Sequence, residues 1–207
     1  MRELFTLLLY LEKKTRGGEM TRQEKIKKYD VILKKYSDKK EFVKIFRTVC
    51  DKEENLSGFI LSMSKQFLFV QDTHDFMLDG FAIIRKDDFD SIRCNKNDKT
   101  QRKIFKAEGL LEKGFGFNKS IPLISWKDII AAIKKYDYHI VIESINKDYL
   151  DFHIGQVVKV SNKSVSIHNY DPTGKLDKIP TQIKYDTISV LRFGGRYETI
   201  FRKYLRR

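Results

Sequence analysis

Apolar side chains return at helical spacing over residues 22–37, where Ile26, Tyr29, Leu33 and Tyr36 fall on one face. The period then drops to two. FVKIFRTV (residues 42–49) reads as a strand, and SGFILSMSKQFLFVQDTHD (residues 57–75) alternates, with Ile60, Met63, Phe67 and Phe69 on its apolar side. IIRKDDFDSI (residues 83–92) completes this β-rich stretch, and a second helix follows around Lys103-Ile104-Phe105-Lys106. The same order then recurs. Ser125 is placed to cap a helix over residues 125–136, with Asp128 three positions on and a stripe of Trp126, Ile129, Ile130 and Ile133. HIVIESI (residues 139–145) reads as a strand, IGQVVKVSNKSVSIHNYDPTG (residues 154–174) as two strands about a turn, and QIKYDTISVL (residues 182–191) as the last pair. A final helix puts Tyr197, Ile200, Phe201, Tyr204 and Leu205 on one face, with Arg196, Arg202, Lys203, Arg206 and Arg207 mostly off it. Both aromatic stripes are expected to pack into the core.

Setting Gly58 against Gly155 aligns the two stretches, with Val157, Val160, Val165 and Ile167 answering the first set of apolar positions. The second copy has a loop two residues longer, at Asp171-Pro172-Thr173-Gly174. The chain is therefore expected to be α+β, with two divergent repeats of a helix, about five strands and a helix. The expected units are residues 21–112 and 120–207, divided at the Gly-rich segment GLLEKGFGFNKSIPLI (residues 109–124), with residues 1–20 as a short extension.

This frame resembles the Sm-like fold, a strongly bent five-stranded small barrel of the SH3-like kind. Ile84-Arg85-Lys86-Asp87-Asp88-Phe89-Asp90-Ser91-Ile92 is similar to the second Sm motif, as is Ile183-Lys184-Tyr185-Asp186-Thr187-Ile188-Ser189-Val190-Leu191. The resemblance covers about residues 41–94 and 139–193, and it implies RNA binding. Where the family carries an Asp and an Asn about its β2–β3 turn, this chain has Ser64 and Leu68, then Ser161 and Val165. The family's glycine after the basic residue is Lys86 and Tyr185, while the basic residue itself stands as Arg85 and Lys184. The departures weaken any inference of the family's uridine pocket. Ring assembly is also implied by the family, although a tandem chain can satisfy its own strand edges.

Composition sharpens the functional reading. The chain has 207 residues, a formal charge of +13, 41% hydrophobic and 13% aromatic residues, enough to build a core. Residues 1–40 carry 12 basic and 6 acidic side chains, residues 41–100 carry 9 and 11, residues 101–150 carry 9 and 6, and residues 151–207 carry 11 and 5. Such an excess suits a polyanion partner through counterion release, or equally a lysine-rich solvated surface. Cys50 and Cys94 stand 44 residues apart with no CxxC and read as reduced thiols on strands, without a metal. LFTLLLYL (residues 4–11) is too short to cross a bilayer and lacks a cleavage site, so a cytoplasmic protein is expected, off the membrane. Arg16-Gly17-Gly18-Glu19 before Met20 is codable as a ribosome-binding site, which would place the translation start at Met20; Lys-, Asn- and Ile-rich usage fits an AT-rich bacterial genome.

No nucleophile, phosphate-loop or metalloprotease motif is present, so the expectation is a protein that is not an enzyme and uses no cofactor. His74 and His168 lie at turns beside carboxylates and read as solvated positions. Gly114-Phe115-Gly116-Phe117 reads as a mobile turn before a stacking platform. The binding candidates are Arg85, Lys86, Lys184 and Tyr185 of the Sm-like segments, and Arg192, Phe193, Arg196 and Tyr197 around Gly194-Gly195, where cations and aromatics alternate as single-stranded RNA contacts do. That last stretch equally serves to turn a strand into a helix. The expected function is sequence-nonspecific binding of RNA or another polyanion; the alternative is a regulatory module that binds a protein partner. Oligomeric state stays open.

Overall fold

The computed structural model describes residues 22–146 and 149–206, with side chains described from Tyr29 onward. Helix α1 (Arg22–Asp38) leads into β1 (Phe42–Val49), β2 (Lys52–Met63), β3 (Phe67–His74), β4 (Met77–Arg85) and β5 (Ser91–Arg93), closed by α2 (Lys96–Ala107). Then α3 (Trp126–Lys135) leads into β6 (His139–Asn146), β7 (Tyr149–Val160), β8 (Ser164–Asn169), β9 (Thr181–Lys184) and β10 (Ile188–Phe193), followed by α4 (Arg196–Phe201) and a 3-10 turn at Arg202–Tyr204. The expected Met20 start and the 1–20 extension lie outside the described residues.

The α+β class holds. The ten described strands form one antiparallel sheet in the order β5-β1-β2-β3-β4-β10-β6-β7-β8-β9, open at β5 and β9. Strands of the two halves of the chain join at a seam, β4 against β10, from Phe81↔Phe193 to Ile84↔Val190. Pairing there gives the backbone of both strands hydrogen-bond partners that a free edge would leave to water.

The registers of the two halves recur at a constant step. Phe42↔Phe59 in β1–β2 becomes His139↔Gln156 in β6–β7, 97 positions on. Gly58↔Asp72 becomes Gly155↔Asn169, and the irregularity between Ile60 and Ser62 becomes one between Val157 and Lys159, again 97 on. Past the longer loop the step is 99, since Leu68↔Ile84 becomes Val165↔Ile183 and Ile45↔Ile92 becomes Ile142↔Leu191. The two glycines have matching reasons to be glycine. A Cβ on Gly58 would sit 2.0 Å from the Gln71 carbonyl oxygen, and one on Gly155 2.1 Å from that of His168.

Burial crosses the seam. One core cluster joins Phe67, Phe69 and Ile83 to Trp126, Ile129, Ile130, Ile133 and Phe193. A second, built on Leu33, Val43, Ile45 and Leu68, takes in Val190 from β10. The connecting segment belongs to this packing. Phe117 packs its ring among Phe69, Phe81, Phe193 and Tyr138, with centroids 4.9 to 6.2 Å away, and Gly116 donates its N–H to Gln71 Oε1 at 3.0 Å. Of the mobile turn expected at residues 114–117, Gly114 is exposed while residues 115–117 are half-buried, because the two phenylalanines have aromatic surfaces to cover.

The ends of the elements differ from expectation in two places. Cys50 and Cys94 are free thiols, but neither is on a strand: Cys50 is in the tight turn after β1 at φ 48°, and Cys94 follows β5. The C-terminal helix is only six residues long, and Tyr197, Ile200 and Tyr204 are exposed at 56%, 44% and 71%. Its stripe therefore does not enter the core as a face. Phe201 alone is stacked between Tyr170 and Tyr197, 5.2 Å from each. By contrast, α3 buries Trp126, Ile129, Ile130 and Ile133 as its period demands, and Ser125 Oγ accepts the N–H of Asp128 at 3.2 Å as an N-cap.

Candidate functional site

Four turns meet beside the seam, two from each half. In the first half the β2–β3 turn is closed by Ser64 N–H donating to Phe67 O at 2.9 Å, and Lys86 N–H ties the β4–β5 turn to it through Gln66 O at 2.8 Å. In the second half Ser161 donates to Ser164 O at 2.9 Å and Tyr185 to Lys163 O at 3.1 Å, the same two bonds at the 97- and 99-position steps. These turns and the start of α3 bound a cleft of about 450 Å³.

Its lining mixes ring surface with hydrogen-bonding groups. Phe67 and Trp126 meet edge to face at 4.8 Å, and Tyr185 is half-buried with its hydroxyl donated to Ser161 O at 2.9 Å. Burial raises the Tyr185 pKa, so the phenol stays neutral. Arg85 holds Asp88 through Nε at 2.9 Å and reaches across to the Asp186 carbonyl at 3.2 Å, linking the halves. Lys127 Nζ donates to Asn162 Oδ1 at 2.8 Å, while Gln66, Asp87 and Asp186 supply further polar lining. The buried Trp126 indole N–H has no hydrogen-bond partner among the described residues. Lys127 is part of the lining, and Lys65, Lys163 and Lys184, all exposed, are each next in sequence to a lining residue. A planar heteroaromatic group fits such a mixture, with cations at hand for attached phosphates.

The eight sequence candidates separate into distinct places. Arg85 and Tyr185 line the cleft, while Lys184 is exposed at the end of β9 and is not part of the lining. Lys86 is buried at 4% exposure with its ammonium on Asp30 Oδ1 at 2.5 Å, and Phe193 is fully buried in the aromatic cluster, so neither offers a surface. Arg196 and Tyr197 lie on α4, where the Arg196 backbone N–H donates to Asp79 Oδ1 at 2.7 Å. His74 is exposed at the end of β3, and His168, on β8, has Nε2 2.7 Å from the Asp177 carbonyl oxygen.

Arg192 serves another purpose. It pairs with Asp72 at 3.2 Å and with Glu143; Glu143 in turn pairs with Arg47, whose guanidinium also holds Glu54 at 2.5 Å and Ser189 Oγ at 3.0 Å. This chain of alternating charges ties β1, β2, β3, β6 and β10 together through a largely buried region. Burial pushes Asp72 up and Arg192 down, each opposed by the other's charge.

Gln66, Trp126, Lys127, Asn162 and Asp186 were not singled out by sequence reasoning. Aligned turn positions were the available signal for Gln66 and Asn162, but Trp126 and Lys127 come from a helix that only the tertiary structure brings to those turns. No helix among the described residues is long and apolar enough to cross a membrane. Comparison of the chain with protein-family models, with curated proteins and with solved structures returned no match.

Proposed function

We propose that this chain is a non-catalytic RNA-binding protein made of two copies of an Sm-like unit, in which the cleft between the turns holds an unpaired base, and Lys127 with the exposed lysines of the neighbouring turns holds its phosphates. The recurrence of strand registers and turn bonds at one constant step supports the reading of two copies. The observation that carries the binding reading is the convergence of both pairs of turns on one cleft of mixed aromatic and hydrogen-bonding lining, which includes Arg85 and Lys127, in a chain of charge +13. Phosphate contacts supply affinity without sequence preference, and a stacked base adds little discrimination among the four.

The test is fluorescence anisotropy with a labelled single-stranded RNA of mixed sequence, titrated from about 50 mM salt upward. Binding that weakens linearly in log–log salt is expected, with the slope falling by about 1 for each of Lys127→Ala and Lys163→Ala. The sole tryptophan, Trp126, gives an independent signal from the cleft. Absence of binding at low salt rejects the proposal. The second reading, a protein-binding module, draws on the exposed Tyr197, Ile200 and Tyr204. A partner retained from native lysate after nuclease treatment favours it.

A further inference from the structure

The seam inside this chain is one join of a kind that the outer strands could in principle repeat. By the 99-position step, β9 stands in the second half where β4 stands in the first: Ile84 faces Leu68 and Ile183 faces Val165. By the same step β5 answers to β10, with Ile92 facing Ile45 and Leu191 facing Ile142. In the seam β4 lies against β10. A second copy's β5 laid along β9 in that register would set Ser91 opposite Ile183, Ile92 opposite Gln182 and Arg93 opposite Thr181. Such a contact is head to tail, so every join leaves a new free edge and assembly proceeds until it closes on itself or runs to a filament.

The residues that let the seam close are missing from the outer edges. Just beyond the Phe81↔Phe193 rung the two backbones come together at glycines. Gly80 has φ 73°, and a Cβ there would lie 2.4 Å from the Gly195 nitrogen and 2.6 Å from the Gly194 carbonyl carbon. The residue 99 positions beyond Gly80 is Ile179, which is 77% exposed, and the one answering to Phe81 is Pro180, which has no N–H to donate. On the other edge, β5 runs through Cys94 straight into Asn95, the N-cap of α2, where β10 runs into Gly194-Gly195. The available edge is also shorter: β9 has four residues against nine in β4.

We propose that Ile179-Pro180 is an edge block, which keeps a second copy's β5 off β9 so that the pairing made once within the chain is not repeated between chains. The side chain that Gly80 lacks is supplied at the outer edge as a branched one, and the first rung is removed by proline. The inference rests on the pairing registers and does not depend on RNA binding.

Sedimentation velocity across a concentration series tests it, on the full chain freed of nucleic acid. The wild type is expected at the mass of one chain throughout. The double variant Ile179→Gly/Pro180→Phe, which restores the seam's residues at the β9 edge, is expected to gain mass with concentration. Both positions are exposed, so circular dichroism and melting midpoint should match wild type. Ile179→Gly alone, which only deletes an exposed side chain, is the second arm, with a smaller gain in mass expected. A wild type that itself runs above the mass of one chain overturns the proposal. So do correctly folded variants that stay at the mass of one chain.

Discussion

His139 opens β6 with its ring 6% exposed, against Tyr170 at 5.8 Å, and its Nδ1 has no hydrogen-bond partner among the described residues. Burial, helped by Arg202 and opposed by Asp137, lowers its pKa from the usual 6.5 to about 4. The folded chain therefore holds a neutral imidazole where the unfolded chain would protonate. Its contribution is fully present above pH 6.5 and is lost as pH falls toward 4, with a depth of about 3 kcal/mol. Asp72 and Glu198, raised by burial, act in the opposite sense, so the comparison must be differential. Urea unfolding of wild type and His139→Phe at pH 7 and pH 4.5 is expected to show a smaller loss in the variant; equal losses would contradict the assignment. Gly58 and Gly155 make a paired test at the same scale. Alanine at either would meet a backbone carbonyl, so each variant is expected to lose roughly 2–3 kcal/mol, and by similar amounts. A tolerated alanine at one but not the other would break the equivalence of the two halves.

Among elements, β10 and its neighbour β6 carry the most demanding chemistry. Glu143 on β6 lies between Arg47 and Arg192, and neutralising it leaves two cations in a largely buried place with their shared anion gone. Glu143→Gln is expected to cost on the order of 3 kcal/mol in chemical denaturation. A value near zero would mean that water reaches the pair. Phe193 on β10 stacks with Phe81 and Phe69 and meets Phe117 and Tyr138 edge to face or nearly so. Phe193→Ala is expected to cost about 3–5 kcal/mol, the upper range for a core aromatic, because it removes contacts from both halves together. These element-level facts were only partly legible beforehand. Short apolar runs directly after a helix, FVKIFRTV and HIVIESI, marked β1 and β6, and β6 is buried at six consecutive positions as a central strand covered on both faces is. That β4 pairs with β10 carries no local mark: the partners lie more than 100 positions apart, and each reads as an ordinary apolar strand.

For the whole molecule, core clusters shared across the seam imply one cooperative unit. Phe67, Phe69 and Ile83 pack with the α3 stripe, and Val190 packs with the α1 side. Calorimetry of the intact chain is expected to show a single transition with matching calorimetric and van't Hoff enthalpies, while residues 21–112 and 120–207 expressed apart are expected not to fold. Two separated transitions, or a stable isolated half, would refute this. Glycine and Pro122 led to the expectation of a division at residues 109–124, but glycine also frees a segment to fold back, and here Phe115 and Phe117 take it into aromatic packing.

The sequence by itself determined the α+β class and where most helices and strands fall, together with the like spacing of its two halves and the two-residue difference in loop length. Each of these is written in local periodicity or in the spacing of like segments. Burial of Lys86 and Phe193, exposure of the last aromatic stripe, the cleft at Trp126 and the seam were decided by the tertiary structure. A side chain's fate there depends on which distant strand or helix covers it: Asp30 reaches Lys86, Phe117 reaches Phe193, and no element among the described residues covers Tyr204.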